Sequence, residues 1–329
     1  MSPKGRPEGE YRSAQREGSP VRVHARLPVP GVILGFDDYA TPAERLAAHL
    51  KVRFEGIAVH RFPDGESRVT VPVPLPAHVA ICRSLDHPND KLVEVLLAVE
   101  TARQHGARTV SLIAPYLCYM RQDIEFTPGE AVSQRIVGRL LANHFDAVVT
   151  VDPHLHRVAT LAQAVPAESA VALSAAALFG DYLQQREPDA VLVGPDEESA
   201  QWLAAAARGH RFETAVCRKM RHGDRDVAID MPSIRVAGRA VVLVDDMAST
   251  GTTLAVAARQ CRDQGARSVD VLVVHGLFVG DAVADLRRAG VRHVWSTDSV
   301  LHPTNVLPLA PLLASAMSVE RGIGEQNVR

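Results

Sequence analysis

The chain has 329 residues, 47% of them hydrophobic and 22% charged, with a formal net charge of -2. That length suggests roughly two domains of ~150 residues, and the near-neutral balance offers no basic field for nucleic acid, leaving small neutral or anionic ligands. Cys82, Cys118, Cys217 and Cys261 stand far apart without a CxxC pair, which supports neither a zinc cluster nor a redox dithiol and fits a reducing cytoplasm; there is no run of the ~18 apolar residues that span a bilayer and no secretory signal.

Residues 1-30 are rich in Arg, Glu, Pro, Gly and Ser without periodicity, and are expected to form a disordered tail. From Val32 the pattern becomes regular. VILGF predicts a short buried strand, TPAERLAAHLKVRF a helix opened by Thr41 with Pro42 at its first position, and IAVHRF a second strand. HVAICRS is a strand, DKLVEVLLAVETARQHG a helix with Leu92, Val95, Leu96 and Val99 on one face, and TVSLIAPY a strand. Farther on, VVTV, AVLVGP, TAVCRK, DVAIDM, AVVLVDD, SVDVLVVHGLF and HVWSTD read as strands, with helical stretches between several of them. Alternating strands and helices predict an α/β fold, and the continuous apolar strands imply mostly parallel sheets covered on both faces.

Two segments resemble each other: ARQHGARTVSLIAPY from Ala102 and CRDQGARSVDVLVVH from Cys261. Each joins a helix to a strand through Gly-Ala-Arg. A glycine at a helix C-terminus is common, but each copy also follows a strand, a polar loop and an amphipathic helix, so a duplicated domain is the preferred reading. The expected units are residues 31-172 and 173-318, with a polar tail at 319-329. The loops of the two copies differ: SLDHPND at 84-90 in the first, DDMASTGTT from Asp245 in the second.

The second loop carries chemistry. A turn from a buried strand into a helix aims unpaired backbone N-H groups from the positive end of the helix dipole, which suits a phosphate. Thr250, Thr252 and Thr253 add hydroxyls and Gly251 allows close approach, but the glycine spacing and lysine of GxxxxGK[ST] are missing. Asp245 and Asp246 at the strand's C-terminal end would repel phosphate, so they face sugar hydroxyls or Mg2+. The plain alternative is that one of them caps the helix while the other is solvated.

VVLVDDMASTGTT resembles the ribose 5-phosphate loop shared by type I phosphoribosyltransferases and ribose-phosphate diphosphokinases. The resemblance implies that Ser249, Thr250, Gly251, Thr252 and Thr253 wrap the 5-phosphate while Asp245 and Asp246 take the ribose hydroxyls. It also implies two tandem type I phosphoribosyltransferase-like domains, because further segments resemble the diphosphokinases in that family's order. RFPDGESRV (61-69) alone is a Pro-Asp-Gly turn; by resemblance Phe62, Asp64 and Glu66 contact the ATP base of a neighbouring subunit. In APYLCYMRQD (114-123), Arg121 and Gln122 bind ATP and Asp123 supports them. In VTVDPHLH (149-156), His154 touches the metal-ATP complex, and His156 has no assignable counterpart.

VLVGPDEESAQW (191-202) resembles a Ser-Pro-Asp-Ala-Gly-Gly segment and makes Asp196 a metal ligand beside His154; Glu197, Glu198 and Ser199 depart from the small residue and two glycines of many members. CRKMRHGDRDV (217-227) places Lys219 and Arg221 two apart at a strand end. Alone it reads as a solvated basic hairpin; it resembles the family's flexible catalytic loop, whose Lys and Arg stabilise the transition state.

The resemblance thus implies a cytoplasmic ribose-phosphate diphosphokinase using Mg2+, with ATP and ribose 5-phosphate as ligands. It further implies a homo-oligomer whose ATP site is shared between subunits, and neither nucleic acid nor membrane as partner. A phosphoribosyltransferase consuming 5-phosphoribosyl 1-diphosphate and a non-catalytic regulatory paralogue are the competing readings.

Overall fold

A computed structural model of the chain describes residues 27-221, 227-230 and 234-318, with the backbone alone described at 218-221, 227-230 and Ser318. Of the tail expected at 1-30, residues 1-26 lie outside the described residues, as does the tail expected at 319-329. Leu27-Pro28, which the sequence reading put in the first tail, form a strand parallel to Met317-Ser318.

Two sheets organise the molecule. The N-terminal one has seven strands in the spatial order Ser67–Thr70, Arg53–Arg61, Val32–Phe36, His78–Cys82, Thr109–Ile113, Ala147–Val151 and Ser169–Leu173. Every neighbouring pair is parallel except the hairpin at its edge. The C-terminal sheet has six strands, Glu213–Val216, Val191–Gly194, Ala240–Ala248, Ser268–Gly276, Val291–Thr297 and Asn305–Leu307, all parallel. Helices cover them, so the fold is α/β with two largely parallel sheets, and strands such as VILGF and AVVTV are buried along their whole length as that sandwiching requires.

Each sheet has its own outer core, built on Leu34, Ile81 and Leu112 in the first half and Leu243, Val271 and Val273 in the second. The inner faces share a third cluster running from Ile33, Tyr39 and Leu46 through Val149 to Val242, Val274 and Leu313. Each fully buried Val, Leu or Ile contributes about 1.5–3 kcal/mol, so this shared cluster ties the halves together. Helix Ala310–Ser315 packs on helix Ala40–Leu50, and the buried Tyr39 hydroxyl donates to the Asp298 carbonyl at 2.6 Å.

The helix expected to open at Thr41 begins at Ala40, continuing a 3-10 turn over Asp37–Tyr39. It also stops earlier than predicted. Lys51 adopts φ 58 and closes the helix, and Arg53 and Phe54 pair with Val32 and Ile33 in the sheet.

The duplication reaches the hydrogen bonds. In the first copy Gly106 has φ +103, its N-H donates to Arg103 O, and Ala107 N-H returns to Ala102 O at 3.1 Å. In the second, Gly265 has φ +83, its N-H donates to Arg262 O, and Ala266 N-H returns to Cys261 O at 3.0 Å. Arg103 and Arg262 each turn their guanidinium back onto the carbonyl of Arg108 and Arg267 respectively. Residues Tyr116 and His275, which end the two matching segments, pack edge to face at 5.0 Å between ring centres.

Candidate active site

The strand carrying the paired aspartates runs farther than its sequence suggests, because Met247 and Ala248 still pair with His275 and Gly276. The loop therefore shrinks to Ser249–Gly251, and Thr252 and Thr253, expected in it, form the first turn of helix Thr252–Asp263. Gly251 takes the cap position with φ +70, a left-handed conformation that costs other L-residues about 1–2 kcal/mol. The Ala248 and Ser249 carbonyls accept N-H groups of Phe278 and Val279 at 2.9 Å each, which fixes the loop against the next strand's exit. Thr250 and Thr252 hydroxyls lie 3.1 Å apart. A 12-residue helix thus presents its N-terminal donors and two hydroxyls at one place, a cradle for an anion.

Behind this cradle the carboxylates are unequal. Burial raises the Asp245 carboxyl well above the ordinary range, and the charges of Asp246 and Asp196 raise it further. Burial also pushes Asp246 upward, but a hydrogen bond from His154 and that ring's charge outweigh it and bring the group below its ordinary value. Asp246 is 4% exposed; its Oδ2 lies 2.7 Å from His154 Nδ1, and its backbone N-H donates to Asp245 Oδ1 at 3.0 Å. One carboxyl is thereby held toward the protonated form and its neighbour toward the ionised form. Among the described side chains no Lys or Arg pairs with Asp196, Asp245 or Asp246.

The N-terminal half reaches this place through two loops. His154 follows strand Ala147–Val151, on a turn where Asp152 adopts φ 36. The Asp152 carboxylate accepts Trp202 Nε1 at 3.0 Å and Ala175 N-H at 2.7 Å; burial nevertheless lifts it to about 6, those bonds restraining the rise. Arg121 donates from Nε to Met247 Sδ at 3.1 Å, so it arrives beside the aspartates. Gln122 bonds Glu130 at 3.3 Å. Asp123 does not contact Arg121 or Gln122 through its carboxylate; it pairs with Arg157 at 2.7 Å, and that bridge pins the loop bearing Arg121 to the loop bearing His154. Asp196 Oδ1 accepts Glu198 N-H at 3.1 Å, capping the turn Glu197–Ser199, and its charge acts on Asp245.

The RFPDGE hairpin stands apart. Phe62 N-H donates to Glu66 O at 2.8 Å, Asp64 Oδ1 accepts Glu66 N-H at 3.2 Å, and Phe62 is 39% exposed. Its strand Arg53–Arg61 is four places from Ala147–Val151 in the sheet, about 19 Å at the usual spacing of ~4.8 Å between neighbours. Within one chain, Phe62, Asp64 and Glu66 are not brought to the strand end that leads to His154. Lys219 and Arg221 belong to strand Arg218–Arg221, antiparallel to Val227–Asp230 with Lys219 opposite Ile229; their side chains, and residues 222-226, lie outside the described residues.

Sequence reasoning did not assign His156 or Glu198, although His156 Nδ1 lies 3.3 Å from Glu198 Oε1 and the rings of His154 and His156 meet edge to face at 4.1 Å. The signal was present as a histidine two residues beyond His154 and as a glutamate in a segment read only as a departure. His275 also went unnoticed: buried at the strand end, it accepts or donates at Ser299 Oγ (2.9 Å) and faces Asp152 O (3.2 Å).

Known proteins resemble the chain over most of its length. Residues 32–144 match the family described as the N-terminal domain of ribose phosphate pyrophosphokinase, and residues 161–300 match the phosphoribosyl transferase domain. A ribose-phosphate pyrophosphokinase of Methanopyrus kandleri is 37% identical over 290 residues, covering 87% of this chain and 98% of that protein. One from Halobacterium salinarum is 36% identical over 278 residues, covering 84% and 96%. The crystal structure of phosphoribosylpyrophosphate synthetase from Mycobacterium smegmatis superposes with a TM-score of 0.74 at 25% identity, over 87% of this chain and 97% of that one. No helix among the described residues is long and apolar enough to cross a membrane.

Proposed function

The chain belongs to the ribose-phosphate pyrophosphokinase family, and from that premise we propose how its residues divide the work. The enzyme transfers the diphosphoryl group of ATP to the anomeric hydroxyl of ribose 5-phosphate, giving 5-phosphoribosyl 1-diphosphate and AMP. The ribose oxygen forms its bond to the β-phosphorus while the bond from that phosphorus to the oxygen of AMP breaks. Little covalent help is required of the protein; the work is alignment and charge neutralisation.

Ser249, Thr250, Gly251, Thr252 and Thr253 anchor the 5-phosphate at the helix N-terminus. Asp245 and Asp246 orient the ribose, and Asp246 in its ionised state accepts a sugar hydroxyl while holding His154. Arg121 and Gln122 take ATP on the N-terminal side, with Asp123 positioning Arg121's loop through Arg157. Lys219 and Arg221 neutralise the transferring group. Phe62, Asp64 and Glu66 complete the ATP site of a neighbouring subunit, a role that suits an exposed hairpin whose strand lies four places, about 19 Å, from the strand that leads to His154. The enzyme therefore works as a homo-oligomer, in the cytoplasm.

The family's chemistry implies Mg2+ with the nucleotide. The residues suit it: three carboxylates converge without a Lys or Arg partner among the described side chains, and their mutual repulsion is what a cation relieves. His154 and Asp196 would hold it, and when bound it supplies positive charge to the phosphate oxygens.

One observation carries the reading. The 2.7 Å contact between His154 and Asp246 joins the half assigned to ATP to the half assigned to ribose 5-phosphate, so both substrates meet where the transfer must occur. A coupled AMP-release assay with ATP, Mg2+ and ribose 5-phosphate tests it. AMP release without any nucleobase is the expected result. A requirement for nucleobase and 5-phosphoribosyl 1-diphosphate instead would identify a phosphoribosyltransferase, and no turnover with stable folding would identify a regulatory paralogue.

A further inference from the structure

Beside His154, which contacts Asp246, a cavity of about 530 Å³ is bounded by Asp152, His154, His156, Ser174, Glu198 and Gln201. Three groups in its wall are metal-ligating types, and one ligand atom from each of His154, His156 and Glu198 lies within 4.8 Å of the others. They come from two halves of the chain, the imidazoles from the loop after strand Ala147–Val151 and the carboxylate from the turn Glu197–Ser199 after strand Val191–Gly194.

The surroundings favour metal binding. His154 Nδ1 is engaged by the buried Asp246 carboxylate at 2.7 Å, which leaves Nε2 as the free lone pair. A carboxylate behind a ligating imidazole is the arrangement that fixes its tautomer and strengthens it as a donor. His156 and Glu198 face one another at 3.3 Å, near the separation of about 3.3 Å between ligand atoms that Zn-ligand bonds of ~2.05 Å impose in a tetrahedral site. Their side chains are 30% and 52% exposed, so they are free to close the remaining gap onto His154. His156 has no assignable counterpart in the family pattern, and Glu198 is one of three residues, Glu197, Glu198 and Ser199, that depart from it.

We propose that His154, His156 and Glu198 form a binding site for a divalent transition metal of the Zn2+ type, which shares His154 with the Mg2+ position described above, so that only one of the two ions engages that ring at a time. Two imidazoles and one carboxylate suit zinc, whereas Mg2+ takes mainly oxygen ligands in near-octahedral geometry, which Asp196, water and phosphate supply better than a second imidazole. With three protein ligands the ion keeps an open position, and the adjoining cavity gives room there for water or a phosphate oxygen.

The test uses Co2+ as a visible probe. The full-length chain, freed of metal by a chelator and dialysed, is titrated with Co2+ alone while absorbance is followed. One equivalent is expected to give the intense d-d bands of a low-coordinate site. Zn2+ should displace it at equimolar concentration, and excess Mg2+ should not. His156→Ala and Glu198→Gln should each weaken Co2+ binding by on the order of tenfold or more. Circular dichroism melting checks that both variants fold. No Co2+ uptake, uptake that Mg2+ reverses with equal affinity, or bands unchanged in both variants would overturn the site. AMP release in Mg2+ is measured on the same samples. Normal release without Co2+ uptake defeats the transition-metal site alone, and Co2+ uptake without AMP release defeats the transfer reaction alone.

Discussion

The chain contains the same strand-loop-helix unit twice, and the two loops handle charge in opposite ways. Sheet register makes the comparison residue by residue: His78 pairs with Thr109 as Ala240 pairs with Ser268, so Arg83 and Ser84 occupy the places of Asp245 and Asp246. In the first copy Arg83 is buried and consumed by the protein itself, its Nε 3.0 Å from Asp38 and its guanidinium 2.7 Å from the buried Glu94. Lys91 donates to Ser84 O at 3.1 Å and to Asp86 at 2.7 Å, filling the loop with internal ion pairs. In the second copy the buried charges have like sign and their only ionic partner among the described side chains is His154. One loop is neutralised from within; the other is left to be neutralised by ligands.

That contrast is broken most forcefully in the first copy. Glu94→Ala leaves Arg83, 4% exposed, with only the more exposed Asp38 as its carboxylate partner, and breaking a buried pair costs up to about 3–5 kcal/mol. Urea unfolding should show a loss of that size. The matching change in the second copy should act oppositely on stability. The raised Asp245 carboxyl means that the folded state disfavours its charge, a penalty present above the unfolded value and growing as pH rises. Asp245→Asn should therefore increase stability at pH 7 while turnover falls on the order of a hundredfold, about 3 kcal/mol of transition-state stabilisation. A variant that loses both stability and turnover would mean that Asp245 supports the fold in the same way Glu94 does.

The difference between the copies was only half legible in the sequence. The Gly-Ala-Arg joint and the run of Asp, Ser, Thr and Gly were readable, because turn chemistry and strand periodicity are local. The parallel sheets followed from strands apolar on both faces. What could not be read was pairing between loops distant in sequence. Nothing in the spacing of Asp123 and Arg157, or of Asp246 and His154, ties them together; their sequence separations are 34 and 92 residues, and only the folded chain brings them together. Glu198 was hidden for the same reason. Its segment was judged against a family pattern, and its partner His156 comes from another sheet. The early end of the helix after Ala40 was missed because a lysine, not a glycine, takes the left-handed position.

The residues ending the two copies, Tyr116 and His275, sharpen the comparison through pH. Burial lowers His275 to about 4 from an ordinary 6.5, against the raising influence of Asp246 and the backbone of Asp152 and Val151, with His154 adding to the lowering. The unfolded chain then binds more protons between those values, so stability is full above pH 6.5 and is lost as pH falls toward 4, by about 3 kcal/mol. Asp152, lifted to about 6, works in the other direction over much of the same range, which masks the effect in the unaltered protein. The difference between proteins isolates it: relative to wild type, His275→Gln should gain about 3 kcal/mol on going from pH 7 to pH 4. Tyr116→Phe, at the equivalent place in the first copy, should give a pH-independent difference over that range. Parallel curves for His275→Gln and wild type would show that His275 accepts a proton inside the folded protein without penalty.

The smallest effect concerns what the copies still share. Gly106 and Gly265 hold the same joint at φ +103 and +83, and space does not decide the cost of a side chain there. A Cβ at Gly106 would meet Leu75 O at 3.9 Å, and one at Gly265 would meet Ala237 at 3.7 Å, both ordinary contacts. What an alanine meets at either place is backbone strain of about 1–2 kcal/mol. Gly106→Ala and Gly265→Ala should therefore destabilise the chain by similar amounts in urea, and the double variant should show their sum, since neither site shares partners with the other. Costs that differ by more than about 1 kcal/mol would mean that one copy relaxes around the added methyl. The joint would then be alike in sequence and hydrogen bonding while differing in rigidity, and the duplication would have diverged in mechanics as well as in charge.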